Sequence, residues 1–478
     1  MNQPVNQSAN RGEFLGHPKG LFVLFGTEMW ERMSYYGMRG IFILYLTSAA
    51  AVGAFGWGHL SQAEIQSNAF SFLGTFMFMV YVTPVIGGYL ADNYLGQRNS
   101  VILGGVIMAL GQFALGTPHE LIAGWELDFL YLGMALLIIG NGFFKPNIST
   151  LVGDLYQAGD QRRDQAFTIF YMGINIGSTM GFLVVGTIGE KVDYQLGFIA
   201  AGVGMLLSLL VQLLFAQKYL GDLGKKPTAK ASSQSNEPKQ PLTSEERDRI
   251  KAILLMSFFT VIFFMGFEQA AGVLTLFAKN HTDLIIFGWE MPASWLQVVN
   301  PLFIVILAPI MAKLWMGLGD RDPATPLKFS MGMVFLGLGF VSMVGAAMQI
   351  GDGGKAAIWW LVVMYILHTI GELCLSPIGL SMVTKLSPVR YVSFMMGIWF
   401  FFSAMGNYLA AMVGKVVGEA GPLATFAGVA VFCIGAGVAL YLLSDKIVSW
   451  MHGADGHNAA PEQSQQQSQQ QSQTRAPA

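Results

Sequence analysis

Long apolar segments, separated by short polar ones, run along nearly the whole chain. A helix that crosses a bilayer needs about 20 mainly apolar residues, and segments of this kind recur twelve times. The pattern predicts membrane-spanning helices at residues 20–48, 67–91, 98–116, 128–152, 165–189, 195–219, 249–279, 295–318, 327–349, 356–385, 390–417 and 422–449.

One long polar interruption, rich in Lys, Ser, Gln and Pro, divides the spans into six and six. We expect residues 220–248 to be a flexible cytoplasmic linker between two six-helix bundles, 20–219 and 249–450. Residues 1–19 are a polar N-terminal segment, and the Gln-rich tail 451–478 is expected to be disordered. The pattern predicts an all-α polytopic membrane protein of the major facilitator architecture, with a central cavity between the bundles.

Composition and charge agree with a membrane protein and set its orientation. The chain is 53% hydrophobic and 12% charged, about half the usual globular share of roughly 25% charged residues. With both termini on one side, 20 of the 27 Lys and Arg residues lie on that side, 4 lie opposite, and 3 lie inside spans. The positive-inside rule makes the richer side cytoplasmic. We therefore expect a multi-pass protein of the inner (plasma) membrane with both termini cytoplasmic.

The first span carries a polar stripe formed by Glu28, Glu31, Arg32, Tyr35 and Arg39. At about 100° per residue, these positions share one face of a helix. Each charge near a bilayer centre costs roughly 2.5–3.5 kcal/mol, so four cost on the order of 10 kcal/mol. Because the flanking apolar residues cannot offset that cost, the stripe must face the bundle interior or a watery cavity.

Three more charged residues lie deep in later spans, namely Lys145, Glu268 and Glu372. Intramembrane charges usually pair with one another, yet three cations here face four carboxylates. A desolvated carboxylate without a partner holds a proton more readily than one in water. This count favours proton coupling, with ion pairs between the bundles that protonation releases. The alternative is a set of static pairs that only stabilise the bundle.

Polar and aromatic residues in the spans fit a small zwitterion. Arg32, Arg39 and Lys145 could hold a carboxylate. Groups that could hold an ammonium or backbone amides are Glu268, Glu372, Asn175 and Asn300. Apolar pockets with polar rims could come from Tyr35, Tyr36, Tyr81, Phe264 and Trp399. For any single aromatic residue, ordinary core packing is an alternative role, and for His368 packing is favoured over a part in proton traffic.

The segment GGYLADNYLGQR (87–98) resembles the loop shared by major facilitators and supports that fold. Three further motifs together resemble one family: E-x-x-E-R-x-x-x-Y from Glu28 to Tyr36, FTIFYMGINIGS (167–178) and GELCLSPIGLSMVTKLSP (371–388). The chain resembles the proton-dependent oligopeptide transporter family from about Gly20 to Tyr408. The resemblance implies symport of di- and tripeptides with protons by alternating access, and a transporter rather than an enzyme.

The resemblance also implies roles for individual residues. Proton coupling falls to Glu28, Glu31 and Arg32, and inter-bundle salt bridges to Arg39 with Glu268 and Lys145 with Glu372. The peptide carboxylate would be bound by Arg32, Tyr36, Lys145 and Asn175, and the amino terminus by Asn300 and Glu372. Side-chain pockets would be lined by Tyr35, Tyr81, Trp399 and Ser403, and the substrate site also includes Arg39 and Phe264.

Two features depart from the family pattern. Many bacterial members carry two extra helices between the bundles, but residues 220–248 are too short and too hydrophilic for two spans, so twelve helices are expected. Phe264 stands where some bacterial members have Trp, which should alter a side-chain pocket.

Other function classes fit less well. A transporter of the same fold for another solute, such as nitrate, a peptide-like drug or another metabolite, stays open as an alternative. A membrane enzyme is disfavoured because no metal-ligand cluster, phosphate loop or Ser/His/Asp arrangement occurs in the sequence, and a channel would not need opposed charges on two halves. We expect no cofactor beyond the proton gradient, no nucleic-acid partner, and function as a monomer in the lipid bilayer.

Overall fold

The computed structural model describes residues 12–157, 160, 162–227, 242–351, 354–388 and 391–454. Residues 228–241 of the predicted linker, nearly all of the Gln-rich tail and the first eleven residues lie outside the described residues. The expectations of a flexible linker and a disordered tail therefore stay predictions.

Long helices make up most of the described chain. The first set is α1 (Lys19–Leu46), α2 (Gln62–Leu90), α3 (Gln97–Leu115), α4 (Glu126–Asp154), α5 (Arg162–Met180) and α6 (Tyr194–Tyr219). The second set begins with α7 (Ser244–Phe267), α8 (Val299–Leu318), α9 (Thr325–Ile350) and α10 (Trp359–Leu386). A last helical segment, Val392–Met451, is interrupted at Gly421, whose φ of 77° and ψ of 164° divide it into α11 (392–420) and α12 (422–451).

Several long helices continue through a change of helix type. Residues Ala91–Leu95 extend α2 as a π-helix, and α5 passes through the π-helix Gly181–Val185 into Gly186–Lys191. The 3-10 turn Glu268–Ala271 links α7 to Val273–His281, and the 3-10 helix Ala293–Val298 leads directly into α8. Short helices lie at Ala49–Ala54, Trp57–His59, His119–Leu121 and Gly319–Arg321.

Three pairs of two-residue strands lie in the connecting segments. Glu13–Phe14 pairs with His17–Pro18 and Ile285–Ile286 pairs with Trp289–Glu290, both antiparallel, whereas Thr282–Asp283 pairs with Ala356–Ala357 in parallel. These strands are too short to alter the fold class, so the predicted all-α polytopic architecture is confirmed.

Eleven helical segments of the described chain are long and apolar enough to cross a membrane. The helix α1 is not among them by composition, because it carries Glu28, Glu31, Arg32 and Arg39. Its 28 residues would nevertheless extend about 42 Å, and most of them are buried by neighbouring helices. The polar stripe therefore lies inside the bundle, as its energetic cost requires.

The helices pack mainly within the two sets. In the first set, α1 packs on α5 and α6, and α4 packs on α2 and α3. In the second set, α9 packs on α10, α8 packs on α10, and the segment containing α11 and α12 packs on α7 and α9. Between the sets, α2 contacts the segment containing α11 and α12, and α5 contacts α8. We call the face where α1 begins and α12 ends the terminal face, and the other the opposite face.

The first glycine of the motif at 87–98 lies at a close helix contact. A β-carbon at Gly87 on α2 would collide with the backbone of Gly142 on α4. From the end of the motif, the Arg98 guanidinium donates to the Gly221 carbonyl at 2.7 Å, which ties α3 to the end of α6. The motif therefore fixes helix ends at the terminal face.

We expect Gly87→Ala to destabilise the protein, because overpacking at a backbone contact typically costs about 1–3 kcal/mol. Gly435→Ala on α12 is the matched control, since nothing lies within 4 Å of a β-carbon built there. Thermal unfolding of the detergent-solubilised protein, followed by tryptophan fluorescence, should show a lower midpoint for Gly87→Ala alone. Equal midpoints for the two variants would contradict the close contact.

Candidate functional site

The charged stripe of α1 is almost completely removed from solvent. The exposed fractions of Glu28, Glu31 and Arg32 are 3%, 0% and 4%. Helix α5 comes very close to this stripe, because Gly177 has no side chain and packs against the Met29 carbonyl and the Arg32 β-carbon. These charged groups are therefore neutralised by one another rather than solvated by water.

One guanidinium nitrogen serves both carboxylates of the E-x-x-E-R motif. Arg32 Nε lies 3.0 Å from Glu28 Oε1, and it also donates to Glu31 Oε2. Glu28 Oε2, Glu31 Oε1 and Arg32 Nη2 are buried without a hydrogen-bond partner in the described structure. Two carboxylates thus share one cation, and each keeps an oxygen that is free to accept a proton.

Two tyrosines flank the cations of the stripe. Tyr35 and Tyr36 pack edge to face, with ring centroids 5.3 Å apart. The Arg32 guanidinium lies 5.3 Å from the Tyr35 ring centroid, and the Arg39 guanidinium lies 5.7 Å from that of Tyr36. Rings at these distances attract a cation through their π faces, so they help to hold both guanidinium groups in a dry site.

Arg39 and Glu268 form a buried ion pair that joins the first helix set to the second. Glu268 begins the 3-10 turn that interrupts α7, and this turn aims its carboxylate at α1. The next residue, Gln269, stabilises the interruption by donating from Nε2 to the carbonyls of Met265, at 2.9 Å, and Ala410, at 3.0 Å. The Gln269 amide therefore bonds the end of α7 to α11 next to the turn that presents Glu268.

The salt bridge predicted between Lys145 and Glu372 is not formed in this structure, so it stays a prediction. No ion pair joins the two residues in the part of the chain that the structure describes. The Lys145 ammonium lies 4.4 Å from the Tyr81 ring centroid, and its charge acts on Glu28 and Glu31. Of the two residues, Glu372 lines the cavity described below, where a side chain of α8 binds its carboxylate.

Glu372 is bound within the second helix set. Asn300 Nδ2 donates to Glu372 Oε2 at 2.9 Å and to Thr369 Oγ1 at 3.1 Å. Thr369 in turn donates to the Tyr365 carbonyl at 2.7 Å, so the amide of Asn300 is held in a fixed orientation. The result is a carboxylate on α10 that is oriented by an amide of α8 and, in the described structure, forms no ion pair with the cations of α1 or α4.

A cavity of about 1100 Å³ extends from this negative group to the terminal face. Asn175 and Glu372 lie on its wall in the middle of the bundle, and Asp322 and Lys385 lie on its wall near the terminal face. Most of the wall between them is apolar and comes from α5, α8 and α10. The bundle is therefore open towards the terminal face.

The remaining predicted site residues lie in three environments. Trp399 is buried against Phe329 and Gly379, and Ser403 donates to the Trp399 carbonyl, so neither lines the large cavity. Phe264 packs edge to face on Phe263 and against Gly406. Asn175 reaches the cavity while its amide donates to the Tyr171 carbonyl at 2.9 Å.

Sequence reasoning missed several residues around the cavity. Tyr171 lines it one helical turn before Asn175, a spacing that could have identified it. Near the terminal face, Lys328 donates to Asp322 at 2.7 Å and lies 4.8 Å from the Trp315 ring centroid. Nothing in the sequence marks this pair, because Asp322 precedes α9 whereas Lys328 lies within it.

His368 does not belong to the charged site. It is 1% exposed, and its ring lies 5.0 Å from that of Phe340 on α9. Within the described residues, no group of three or more His, Cys, Asp or Glu side chains could hold a metal ion. The charged residues of the predicted site lie on α1, on α4, in the turn that follows α7, and on α10.

Comparison with known proteins gives a consistent result. The model of the POT family matches residues 98–229 and 214–425. An uncharacterised transporter of Bacillus subtilis is 37% identical over 95% of this chain and 99% of its own length. A di-/tripeptide transporter of Lactococcus lactis subsp. cremoris is 32% identical over 93% of this chain and 99% of its own length.

Solved structures agree with the sequence matches. A crystal structure of a peptide transporter POT in complex with sulfate superposes with a TM-score of 0.84 at 33% identity, over 94% of this chain and 100% of that one. The twelve long helices thus have the arrangement expected of a major facilitator protein. The family model and the full-length relatives together show that this chain belongs to the POT family of transporters.

Proposed function

We propose that the protein is a proton-coupled symporter that carries di- and tripeptides into the cell across the inner (plasma) membrane. Members of the POT family are transporters rather than enzymes, and relatives that match this chain over nearly their whole length are di-/tripeptide transporters. The observation that carries the proposal is that two cations, Arg32 on α1 and Lys145 on α4, belong to the first helix set, whereas the carboxylate of Glu372, oriented by Asn300, belongs to the second set.

The two groups fit the two ends of a peptide. The peptide carboxylate binds Arg32 and Lys145, with Tyr36 and Asn175 beside them, and the ammonium binds Glu372 and Asn300. Arg32 has one terminal nitrogen without a partner in the described structure, and a guanidinium can bind a carboxylate through two parallel hydrogen bonds. Asn300 already orients the Glu372 carboxylate, so the negative group is preorganised.

Side chains of the peptide occupy the space next to these groups. Tyr35, Tyr81 and Phe264 are the predicted wall of the side-chain pockets, together with Trp399 and Ser403. Because Trp399 and Ser403 are buried away from the large cavity, their contact with a peptide requires a rearrangement of α11. The 1100 Å³ cavity is roomy for a tripeptide and serves as the release path.

Proton coupling resides in Glu28, Glu31 and Arg32. The two carboxylates compete for one guanidinium nitrogen, and both keep an oxygen without a partner in the described structure. A proton on either glutamate removes one of the two anions that compete with the peptide carboxylate for the guanidinium. A peptide without a proton must instead compete with both glutamates, so proton and peptide bind together.

Alternating access follows from relative motion of two bundles, residues 20–219 and 249–450. The terminal face is cytoplasmic in this proposal, so the cavity faces inwards. Arg39 with Glu268 links the bundles in this state, and Lys145 with Glu372 forms only when the cavity closes between α4 and α10. The protein acts as a monomer and uses the proton gradient without a cofactor.

We expect Glu28→Gln and Glu31→Gln to lose proton-driven accumulation of dipeptide in proteoliposomes with an imposed pH gradient. Counterflow of peptide without a gradient should persist in part, because the amide keeps the size of the side chain. The matched control is Glu120→Gln, an exposed carboxylate in the short helix His119–Leu121. If a Glu28 or Glu31 variant concentrates dipeptide like the parent protein, that residue is not a proton-coupling residue.

We expect Glu372→Gln to weaken binding of dipeptides with a free amino terminus by about 10- to 100-fold, since hydrogen bonds to charged groups contribute about 1.5–3 kcal/mol. An N-acetylated dipeptide lacks the ammonium and should bind the parent and the variant with similar affinity. Competition against a labelled dipeptide measures both constants. If the variant loses affinity equally for both ligands, Glu372 does not recognise the amino terminus.

A further inference from the structure

A glutamate at the opposite face accepts hydrogen bonds from backbone amides that are distant in sequence. Glu190 lies near the end of the helical extension Gly186–Lys191, which continues α5. Its side chain has 0% exposure. The Ala293 amide donates to Glu190 Oε2 at 2.9 Å, and the Ser294 amide donates to Oε1 at 2.8 Å.

These two amides belong to the start of a helix that needs a cap. The 3-10 helix Ala293–Val298 runs directly into α8, and the residue before it, Pro292, makes no side-chain capping bond. The first amides of a helix have no partner inside it, and a carboxylate there satisfies them and complements the helix dipole. Glu190 therefore caps α8 from a helix of the other set.

Other bonds around Glu190 cross between the same two helix sets. Lys279 Nζ, in the helix Val273–His281 that follows α7, lies 3.6 Å from Glu190 Oε2. Trp295 Nε1 donates to Thr187 Oγ1 at 2.9 Å, one turn before Glu190. Gly186 lets Ser294 pack directly on the α5 extension. The capping bonds thus lie among several contacts that join the α5 extension to the second helix set and close the bundle at this face.

We propose that Glu190 is the latch of the gate at the opposite face: its cap on α8 stabilises the closed state there and must break before the bundle opens on that side. The inference rests on the proposed alternation of access. During opening, the α5 extension and the start of α8 move apart, and the Ala293 and Ser294 amides pass from the carboxylate to water. The cap therefore makes opening at this face less favourable without touching the peptide site.

A second ion pair at the same face cannot take this role. Lys191 Nζ lies 3.0 Å from Glu290 Oε2, but the Glu290 side chain is 56% exposed. Water and salt screen a pair of this kind, so it contributes little. The buried cap is stronger because its oxygens have no competing water and each accepts from a fixed backbone amide.

The test measures the distance between the two bundles at the opposite face. Spin labels are placed at Ala123→Cys and Lys355→Cys, two exposed positions outside the latch, after Cys374→Ala and Cys433→Ala. Pulsed electron resonance in lipid nanodiscs, without peptide, gives the populations of short and long distances. We expect Glu190→Ala to raise the ratio of long to short distances about tenfold, equivalent to about 1.4 kcal/mol.

Two further variants make the outcome decisive. Glu190→Gln keeps the shape and one accepting oxygen, so it should fold and shift the ratio in the same direction by less. Glu290→Gln removes the exposed pair and should leave the ratio unchanged. An unchanged ratio in folded Glu190→Gln and Glu190→Ala, or an equal shift in Glu290→Gln, would overturn the latch. Because neither peptide nor a proton gradient is used, such a failure would leave the proposed transport function unaffected.

Discussion

The fold depends on a single energetic constraint: a charged group inside the bilayer needs a partner that the protein itself supplies. Helix α1 carries two carboxylates and two guanidinium groups, and it can lie in the membrane only because other helices enclose it. Arg32 is neutralised within α1, whereas Arg39 is neutralised by Glu268 from the second helix set. The position of α1 between the two sets follows directly from this need.

The same constraint explains why the helix breaks lie where they do. The 3-10 turn at Glu268 presents a carboxylate towards α1, and Gln269 donates to the Met265 carbonyl just before the turn and to the Ala410 carbonyl on α11. At the start of α8, the amides have no capping side chain next to them in sequence, and Glu190 supplies one from α5. In both places a side chain hydrogen-bonds to the backbone at or next to the irregular segment.

Much of this architecture can be read from the sequence, because span length and charge cost depend only on local composition. The polar stripe of α1 was identifiable from helical spacing, and so was the need for Lys145, Glu268 and Glu372 as its counterparts. Sequence could not decide which cation meets which carboxylate. Lys145 lies over Tyr81 rather than at Glu372, and such a contact depends on how distant helices pack, which no local pattern encodes. Glu190 was missed altogether, since an N-cap supplied from 103 residues away leaves no local signal.

The sharing of Arg32 Nε between Glu28 and Glu31 has a thermodynamic consequence. In the proposed mechanism three anions, two from the protein and one from the peptide, compete for this one guanidinium group. If a proton on either glutamate raises the affinity for peptide by some factor, bound peptide must raise the affinity for that proton by the same factor. In this mechanism the coupling free energy between proton and peptide therefore arises within about one turn of α1. The motion of the bundles then changes the side of the membrane to which the site is open.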